Sequence, residues 1–156
     1  MQRPHTIALH KGSAILRTGL NRRLQRLGPV RVRLLMRAGV TLSLSSAAVA
    51  LLPFRRALAY GSAKLGNPES SASVPDLVWA VETVARRLPL RALCIERGIA
   101  VQRLLRKAGI DARLHYGAHH EPRSGDLQAH VWVTVDGEAV IGGEEAEAFS
   151  EIATFP

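Results

Sequence analysis

The chain has only one cysteine, Cys94, among its 156 residues, and aromatic residues make up 4% of it. A single cysteine excludes a disulfide framework and a zinc site built from several cysteines. No run of about 18 residues is uniformly apolar, so the sequence does not predict a membrane span. With 47% hydrophobic residues, the chain is long enough for one domain with a real core, and a collagen-like, coiled-coil or wholly disordered chain is excluded.

Acidic residues are missing from residues 1–68, which contain twelve basic side chains. Residues 69–156 contain nine basic and thirteen acidic residues, a net charge of −4. This split favours different partners for the two halves. Arginine clusters neutralise phosphate, but the basic half has few aromatic residues for base stacking and no known nucleic-acid motif. We therefore predict a solvated basic face and no nucleic-acid partner.

The basic half has a helical pattern. Leucine recurs near helical spacing over residues 16–27, and Gly28-Pro29 interrupts the pattern. A second segment, Val30 to Leu52, begins basic, becomes apolar and ends at Pro53. Because Ser and Thr dilute its apolar part, and because it begins far from the N-terminus, it is not typical of a signal peptide. We interpret it as a helix that packs on the folded domain or lies on a membrane surface.

A segment rich in Gly, Ser, Asn and Pro, residues 61–74, is typical of a linker. It follows a basic helical N-terminal region, residues 1–60, and precedes residues 75–156, where the hydrophobic periodicity indicates a compact unit. The sequence therefore predicts three parts with these boundaries.

The compact unit opens with two helices. The first is predicted to begin near Pro75-Asp76, since proline is tolerated in a first turn and an acid there complements the helix dipole, and to stop at Pro89. The second is predicted to begin close to Cys94 and to end before Gly109, a favourable C-terminal cap.

The hydrophobic period then changes from helical to alternating. We expect a loop at residues 121–126, one short edge segment in the tail, and three strands at residues 112–116, 127–135 and 138–141. Asp136-Gly137 is a strong signal for a two-residue hairpin turn. Two helices followed by antiparallel strands predict an α+β fold, with helices packed on a small antiparallel sheet and basic N-terminal helices before it.

Cys94 and His130 are the residues best suited to nucleophilic chemistry. A lone cysteine is most often a small buried apolar residue. At a helix N-terminus, however, a thiol lies at the positive end of the helix dipole, which favours the nucleophilic thiolate. His130 lies in the strongest predicted strand, and together with such a cysteine it becomes a candidate general base.

The acid that would orient His130 has two candidates. Asp136 is six residues along the same strand, about 20 Å away, and occupies the predicted turn. Counting back along the hairpin from a pair between Val135 and Glu138 puts His130 opposite Gly143 and makes Glu144 the nearest acid. A bulge at Gly142-Gly143 is one way to bring Glu144 inward.

The remaining histidines near the strands, His115, His119 and His120, are interpreted as surface residues because they lie beside a loop in a cysteine-poor chain. The sequence therefore predicts no metal site and no cofactor.

The stretch from Cys94 to Gly117, CIERGIAVQRLLRKAGIDARLHYG, followed by AHVWVTVDGEAVIGG, resembles the transglutaminase-like cysteine peptidases of lasso-peptide biosynthesis. These leader peptidases correspond to the C-terminal half of the microcin J25 processing protein. The resemblance covers residues 75–156, and the stretch at residues 34–60 is similar to the N-terminal helices of that family. It implies a papain-like core and a Cys-His-acid triad that contains Cys94 and His130.

The chain departs from the family pattern at the acid. Many relatives carry Asp or Glu at the position that matches Gly142. This leaves Glu144, Asp136 or a site without a strong acid as alternatives for the third role.

The resemblance also implies a substrate and partners. The substrate is a ribosomally made precursor peptide, cut to free the N-terminus of its core peptide in the cytoplasm. A small leader-recognition protein and an ATP-dependent macrolactam synthetase are the expected partners, and residues 30–60 are a candidate for peripheral membrane contact. Two other readings stay open: a transglutaminase-like acyl transferase or amidase with the same Cys-His pair, and a non-catalytic binding module of a maturation complex.

Overall fold

A computed structural model describes residues 12–67, 72–87, 94–120 and 125–156, with side chains described from residue 28 onward. In chain order, the helices and strands are α1 (Gly12–Leu51), α2 (Phe54–Gly61), α3 (Val74–Ala85), α4 (Cys94–Lys107), β1 (Ala112–His120), β2 (Leu127–Val135), β3 (Glu138–Ile141), α5 (Gly143–Ala146) and β4 (Ser150–Phe155). Helices and one four-stranded sheet confirm the predicted α+β class.

Packing divides the chain into two compact units, residues 1–33 and residues 34–156. In the first unit, residues 12–33 are helical apart from Gly28, whose φ of 70° and ψ of 156° interrupt α1 as the Gly28-Pro29 pair predicts. The side chains of the leucine-rich stretch, residues 16–27, lie outside the described residues.

The second unit begins earlier than the predicted boundary at residue 75. Leu34 and Leu42 of α1 and Leu58 of α2 are buried in the same core as Leu77 of α3 and Leu105 of α4. The C-terminal part of α1 and the whole of α2 therefore belong to the unit that holds the sheet. This packing is long-range and leaves no local signal in residues 61–74, and the predicted three-part division stays a prediction.

Part of the predicted linker is held against α4. Residues 62–67 have no regular structure, but the amide of Gly66 donates to the carbonyl of Arg106 over 2.8 Å. The Nε of Arg106 donates to the carbonyl of Ala63, also over 2.8 Å. Residues 68–71 lie outside the described residues.

The two predicted helices of the compact unit are present as α3 and α4. Ser73 caps α3, where its hydroxyl accepts from the amide of Asp76. Helix α4 covers Cys94–Lys107, which agrees with the predicted helical periodicity, and residues 88–93 before it lie outside the described residues. The predicted stop at Pro89 lies outside the described residues, as do residues 121–124 of the predicted loop.

The sheet is antiparallel throughout, in the order β3-β2-β1-β4. The hairpin between β2 and β3 is confirmed: Val135 pairs with Glu138, and Asp136 and Gly137 both have positive φ, at 51° and 85°. Positive φ at both central residues is the requirement of a type I′ turn. The short edge segment predicted in the tail is β4, which pairs with β1.

Helix α4 packs closely on the sheet at Gly98. A Cβ at this position would lie 2.6 Å from Cγ1 of Val131, which is buried in β2. The absence of a side chain therefore lets the helix that carries Cys94 approach the strand that carries His130.

We expect Gly98→Ala to lower the free energy of unfolding by about 1–3 kcal/mol, because the added methyl group overpacks a rigid contact. The matched control is Gly39→Ala in α1, where the nearest atom to the new Cβ is 3.9 Å away. There, higher helix propensity should raise stability by about 0.5–1 kcal/mol. Urea unfolding measures both changes, and a stabilised Gly98→Ala variant would contradict the close packing.

Candidate active site

Cys94 and His130 border the same open cleft, which has a volume of about 740 Å³. Cys94 is the first residue of α4 and is half-buried, and His130 in β2 is 8% exposed. The other walls come from α3, α4, β2 and the chain from β3 to the start of β4. They are formed by Glu82, Arg97, Gln128, Ala129, Val131, Ala139, Val140, Ile141, Gly142, Gly143, Glu144, Glu145 and Phe149.

The His130 ring is held by a main-chain carbonyl. Its Nε2 lies 2.8 Å from the carbonyl oxygen of Gly142. Because a carbonyl only accepts hydrogen bonds, Nε2 carries a proton, and Nδ1 is the nitrogen with a free lone pair in the neutral ring. The Phe149 ring stacks on His130, with centroids 5.1 Å apart. The imidazole is therefore oriented, with one nitrogen available to accept a proton.

Gly142 can approach His130 because it has no side chain. Its φ of 73° lies in the left-handed region, where it precedes α5. A Cβ would lie 2.6 Å from the carbonyl oxygen of Val131 and 3.2 Å from Nε2 of His130. An acid at this position is therefore incompatible with the observed backbone.

Among the described residues, the carboxylate that comes closest to His130 is Glu145 of α5, which sequence reasoning missed. Its Oε2 lies 3.7 Å from Nδ1 of His130, and its side chain is 74% exposed. This carboxylate faces the nitrogen that accepts a proton, not the nitrogen that Gly142 orients. The carboxylate can stabilise the positively charged imidazolium ring that forms after proton transfer. This stabilisation is small, because the Glu145 side chain is exposed to water.

The two acids proposed from the sequence, Glu144 and Asp136, lie in different places relative to His130. Glu144 borders the cleft, but within the described residues it makes no hydrogen bond or ion pair with His130. Asp136 lies in the β2–β3 turn and lines a separate cavity of about 350 Å³ with Arg113 and His115. The triad role of either acid stays a prediction.

A register shift explains why the ladder count differs from the structure. Val133 pairs with Ile141 instead of Val140, so the bulge precedes the Gly142-Gly143 pair. Strand β3 then ends, and the chain turns at Gly142 into α5. The signal for this turn was the Gly142-Gly143 pair itself, which breaks a strand and allows a left-handed residue.

The wall of the cleft that belongs to α3 and α4 carries an ion pair. Arg97 Nη1 lies 3.3 Å from Oε1 of Glu82. Arg97 is three residues after Cys94, so this pair ties the first turn of α4 to α3 and fixes the end of the helix that carries the thiol.

His115 belongs to a separate polar network on the sheet. Its Nδ1 lies 3.0 Å from Oε2 of Glu151 and its Nε2 lies 2.9 Å from Oγ1 of Thr134. The Thr154 hydroxyl, and to a smaller degree His115, lower the pKa of Glu151. This carboxylate therefore contributes its small stabilisation at neutral pH and loses it as the pH falls below the ordinary carboxyl range.

Among the described residues, no group of three or more His, Cys, Asp or Glu side chains is arranged to hold a metal ion. The cleft brings together a thiol, an imidazole and main-chain groups, with the charged side chains of Glu82, Arg97, Glu144 and Glu145 in its walls. These groups can perform nucleophilic acyl transfer.

A family model described as the Transglutaminase-like superfamily matches residues 36–154. The chain belongs to the Transglutaminase-like superfamily. Comparisons with curated proteins and with solved structures gave no match. The α+β architecture of this transglutaminase-like chain fits a papain-like core, and its superfamily is usually catalytic, as cysteine peptidases or acyl transferases. The match begins within α1, which agrees with a compact unit that starts at residue 34.

Proposed function

We propose that the protein is a cysteine peptidase that removes the leader peptide from a ribosomally made lasso-peptide precursor. The main support is that Cys94, at the start of α4, and His130, held by a main-chain carbonyl, border one open cleft. The resemblance of residues 75–156 to leader peptidases supports the choice of substrate.

In the proposed reaction, the Cys94 thiol gives its proton to Nδ1 of His130 and the sulfur attacks the scissile carbonyl. The main-chain amide of Cys94 donates to the developing oxyanion. His130 returns the proton to the leaving amine, which frees the N-terminus of the core peptide. A water molecule then hydrolyses the thioester, with His130 as its base, and releases the leader.

The carbonyl of Gly142 takes the positioning role in this mechanism. It fixes the Nε2–H tautomer of His130, which is the role that an acid has in a Cys-His-acid triad. Glu144 and Asp136 remain the candidates for an additional acid that the sequence offers. The structure adds Glu145 as a third candidate, because its carboxylate lies 3.7 Å from Nδ1 of His130.

We expect Gly142→Ala to lower kcat for precursor cleavage by at least about tenfold with little change in KM, because the methyl group displaces the carbonyl that orients His130. Gly137→Ala is the matched control, since Gly137 also has positive φ, at 85°, but has no atom within 4 Å of a new Cβ. Steady-state kinetics measure kcat and KM for both variants. Equal losses in both variants would point to backbone strain instead of positioning.

The proposed partners are the precursor peptide, a small leader-recognition protein and an ATP-dependent macrolactam synthetase that receives the freed amine. These proposed partners imply that the protein acts in the cytoplasm. The support is the resemblance of residues 75–156 to the leader peptidases.

The test is mass spectrometry of the precursor after incubation with the full chain and the recognition protein. The expected result is one cut, with the mass of one water added across the two fragments. In the presence of a primary amine, a precursor of unchanged length that gains the amine and loses ammonia would identify a transglutaminase-like acyl transferase instead. A precursor of unchanged length that gains water and loses ammonia at a side-chain amide would identify an amidase. No change in the precursor, with wild type and Cys94→Ala alike, would support a non-catalytic binding module.

A further inference from the structure

One side of the C-terminal part of α1 is apolar and exposed, and it continues into the start of α2. This apolar face consists of Met36, Val40, Leu44, Leu51, Leu52 and Phe54, with exposed fractions between 43% and 81%. Spacings of four and seven residues put the first four members on the same side of the helix. Among the described side chains, ten large apolar ones are exposed, and six of them belong to this face.

The opposite side of the same helical stretch is part of the core. It is formed by Leu34, Ala38, Leu42, Ser45 and Ala48, which are all less than 9% exposed. Three of these residues belong to the cluster that contains Leu58 of α2 and Leu77 of α3. The helix is thus fixed to the domain along one side and presents its other side to the surroundings.

The surroundings of the apolar face are basic. Arg37 near its beginning and Arg55 and Arg56 at its end are exposed. Residues 1–68 contain no acid that could neutralise these charges locally. The middle of the face carries no charge, so the arginines lie at its two ends.

We propose that this face docks on the surface of a bilayer that contains anionic lipids. Six large apolar side chains that are exposed on one face of a helix and the turn after it indicate an interaction surface. An interfacial helix inserts its apolar side chains at the level of the acyl chains, and its arginines reach back to the phosphates. The apolar face and the arginines at its ends fit this arrangement. A membrane surface can bind both the apolar face, through the acyl chains, and the arginines at its ends, through the lipid phosphates. The proposal does not depend on the peptidase function.

The same helix is long and apolar enough to cross a membrane by length and composition, with a mean hydropathy of 1.6 over an 18-residue window within residues 28–51. A helix that packs in the core of a soluble protein passes this test as well. The packing of Leu34, Ala38 and Leu42 in the core favours a position on the surface over a span, because crossing would break those contacts.

The experiment is co-sedimentation of the full chain with phosphatidylcholine vesicles, with and without phosphatidylglycerol. We expect binding to the vesicles that contain phosphatidylglycerol and its loss at about 1 M salt, where the screening length is about 3 Å. The double variant Val40→Glu/Leu44→Glu should bind at least about tenfold more weakly, because two inserted apolar side chains are lost.

The matched control is Leu65→Glu/Leu127→Glu, which adds the same charge at two exposed leucines outside the face. It should bind within about threefold of wild type, since its charges lie away from the lipid surface. Equal weakening in both double variants, with circular dichroism unchanged, would overturn the role of the face. Absence of vesicle binding by wild type would overturn the proposal in favour of an acidic protein partner, and resistance of the bound protein to salt would favour a membrane span.

Discussion

Replacing Cys94 with alanine is expected to lower the rate of precursor cleavage by about a thousandfold or more. The substitution removes the sulfur that forms the covalent thioester, and no neighbouring group can take its place, since Cys94 is the only cysteine of the chain. The loss should appear in kcat, because the nucleophile acts in the chemical step and contributes little to substrate binding. Single-turnover cleavage followed by mass spectrometry measures the effect.

The control for this prediction is Lys107→Ala, which lies at the other end of α4 and makes the same kind of truncation. It should cleave within about threefold of wild type, because a surface substitution away from the site has little effect on stability or geometry. Cleavage by Cys94→Ala at the wild-type rate would exclude Cys94 as the nucleophile.

The substitution His130→Gln is expected to have the second largest effect, a loss of at least about a hundredfold in kcat. Glutamine can still donate to the carbonyl of Gly142, but it cannot accept a proton, so both proton transfers of the mechanism are lost. The pH dependence of the rate should also change, because the general base of the mechanism is removed. The pH–rate profile therefore separates loss of the base from loss of packing.

His120→Gln serves as the matched control for His130→Gln. His120 is the exposed last residue of β1, so its replacement should leave both the rate and the pH profile unchanged. A His130→Gln variant that keeps the wild-type pH profile, even with a lower rate, would contradict a role for His130 as general base.

Features with local causes could be predicted from the sequence. The helix at Cys94–Lys107 follows from helical periodicity, and the β2–β3 hairpin follows from the Asp136-Gly137 turn signal. Once α4 and β2 are assigned, Cys94 at the predicted helix start and His130 in the strongest predicted strand are the candidate pair. The family match then supports the same architecture.

Features with long-range or geometric causes could not be predicted. The one-residue shift at Val140 redirects the chain into α5 and brings Glu145, not Glu144, to His130. The role of the Gly142 carbonyl depends on a left-handed φ and on close packing against Val131, and a main-chain group leaves no mark in a residue pattern. The start of the compact unit at residue 34 depends on the burial of α1 residues in the same core as residues of α2, α3 and α4, which periodicity alone does not specify.

The central claim is that Cys94 and His130 act as one chemical pair, and the alkylation rate of Cys94 tests it without knowledge of the precursor. Iodoacetamide reacts with the thiolate, and mass spectrometry follows the reaction in wild type and in His130→Gln at neutral pH. If His130 takes the thiol proton, the variant should be alkylated at least about tenfold more slowly. Equal alkylation rates in the two proteins would mean that the thiol does not interact with His130, which would contradict the proposed active site.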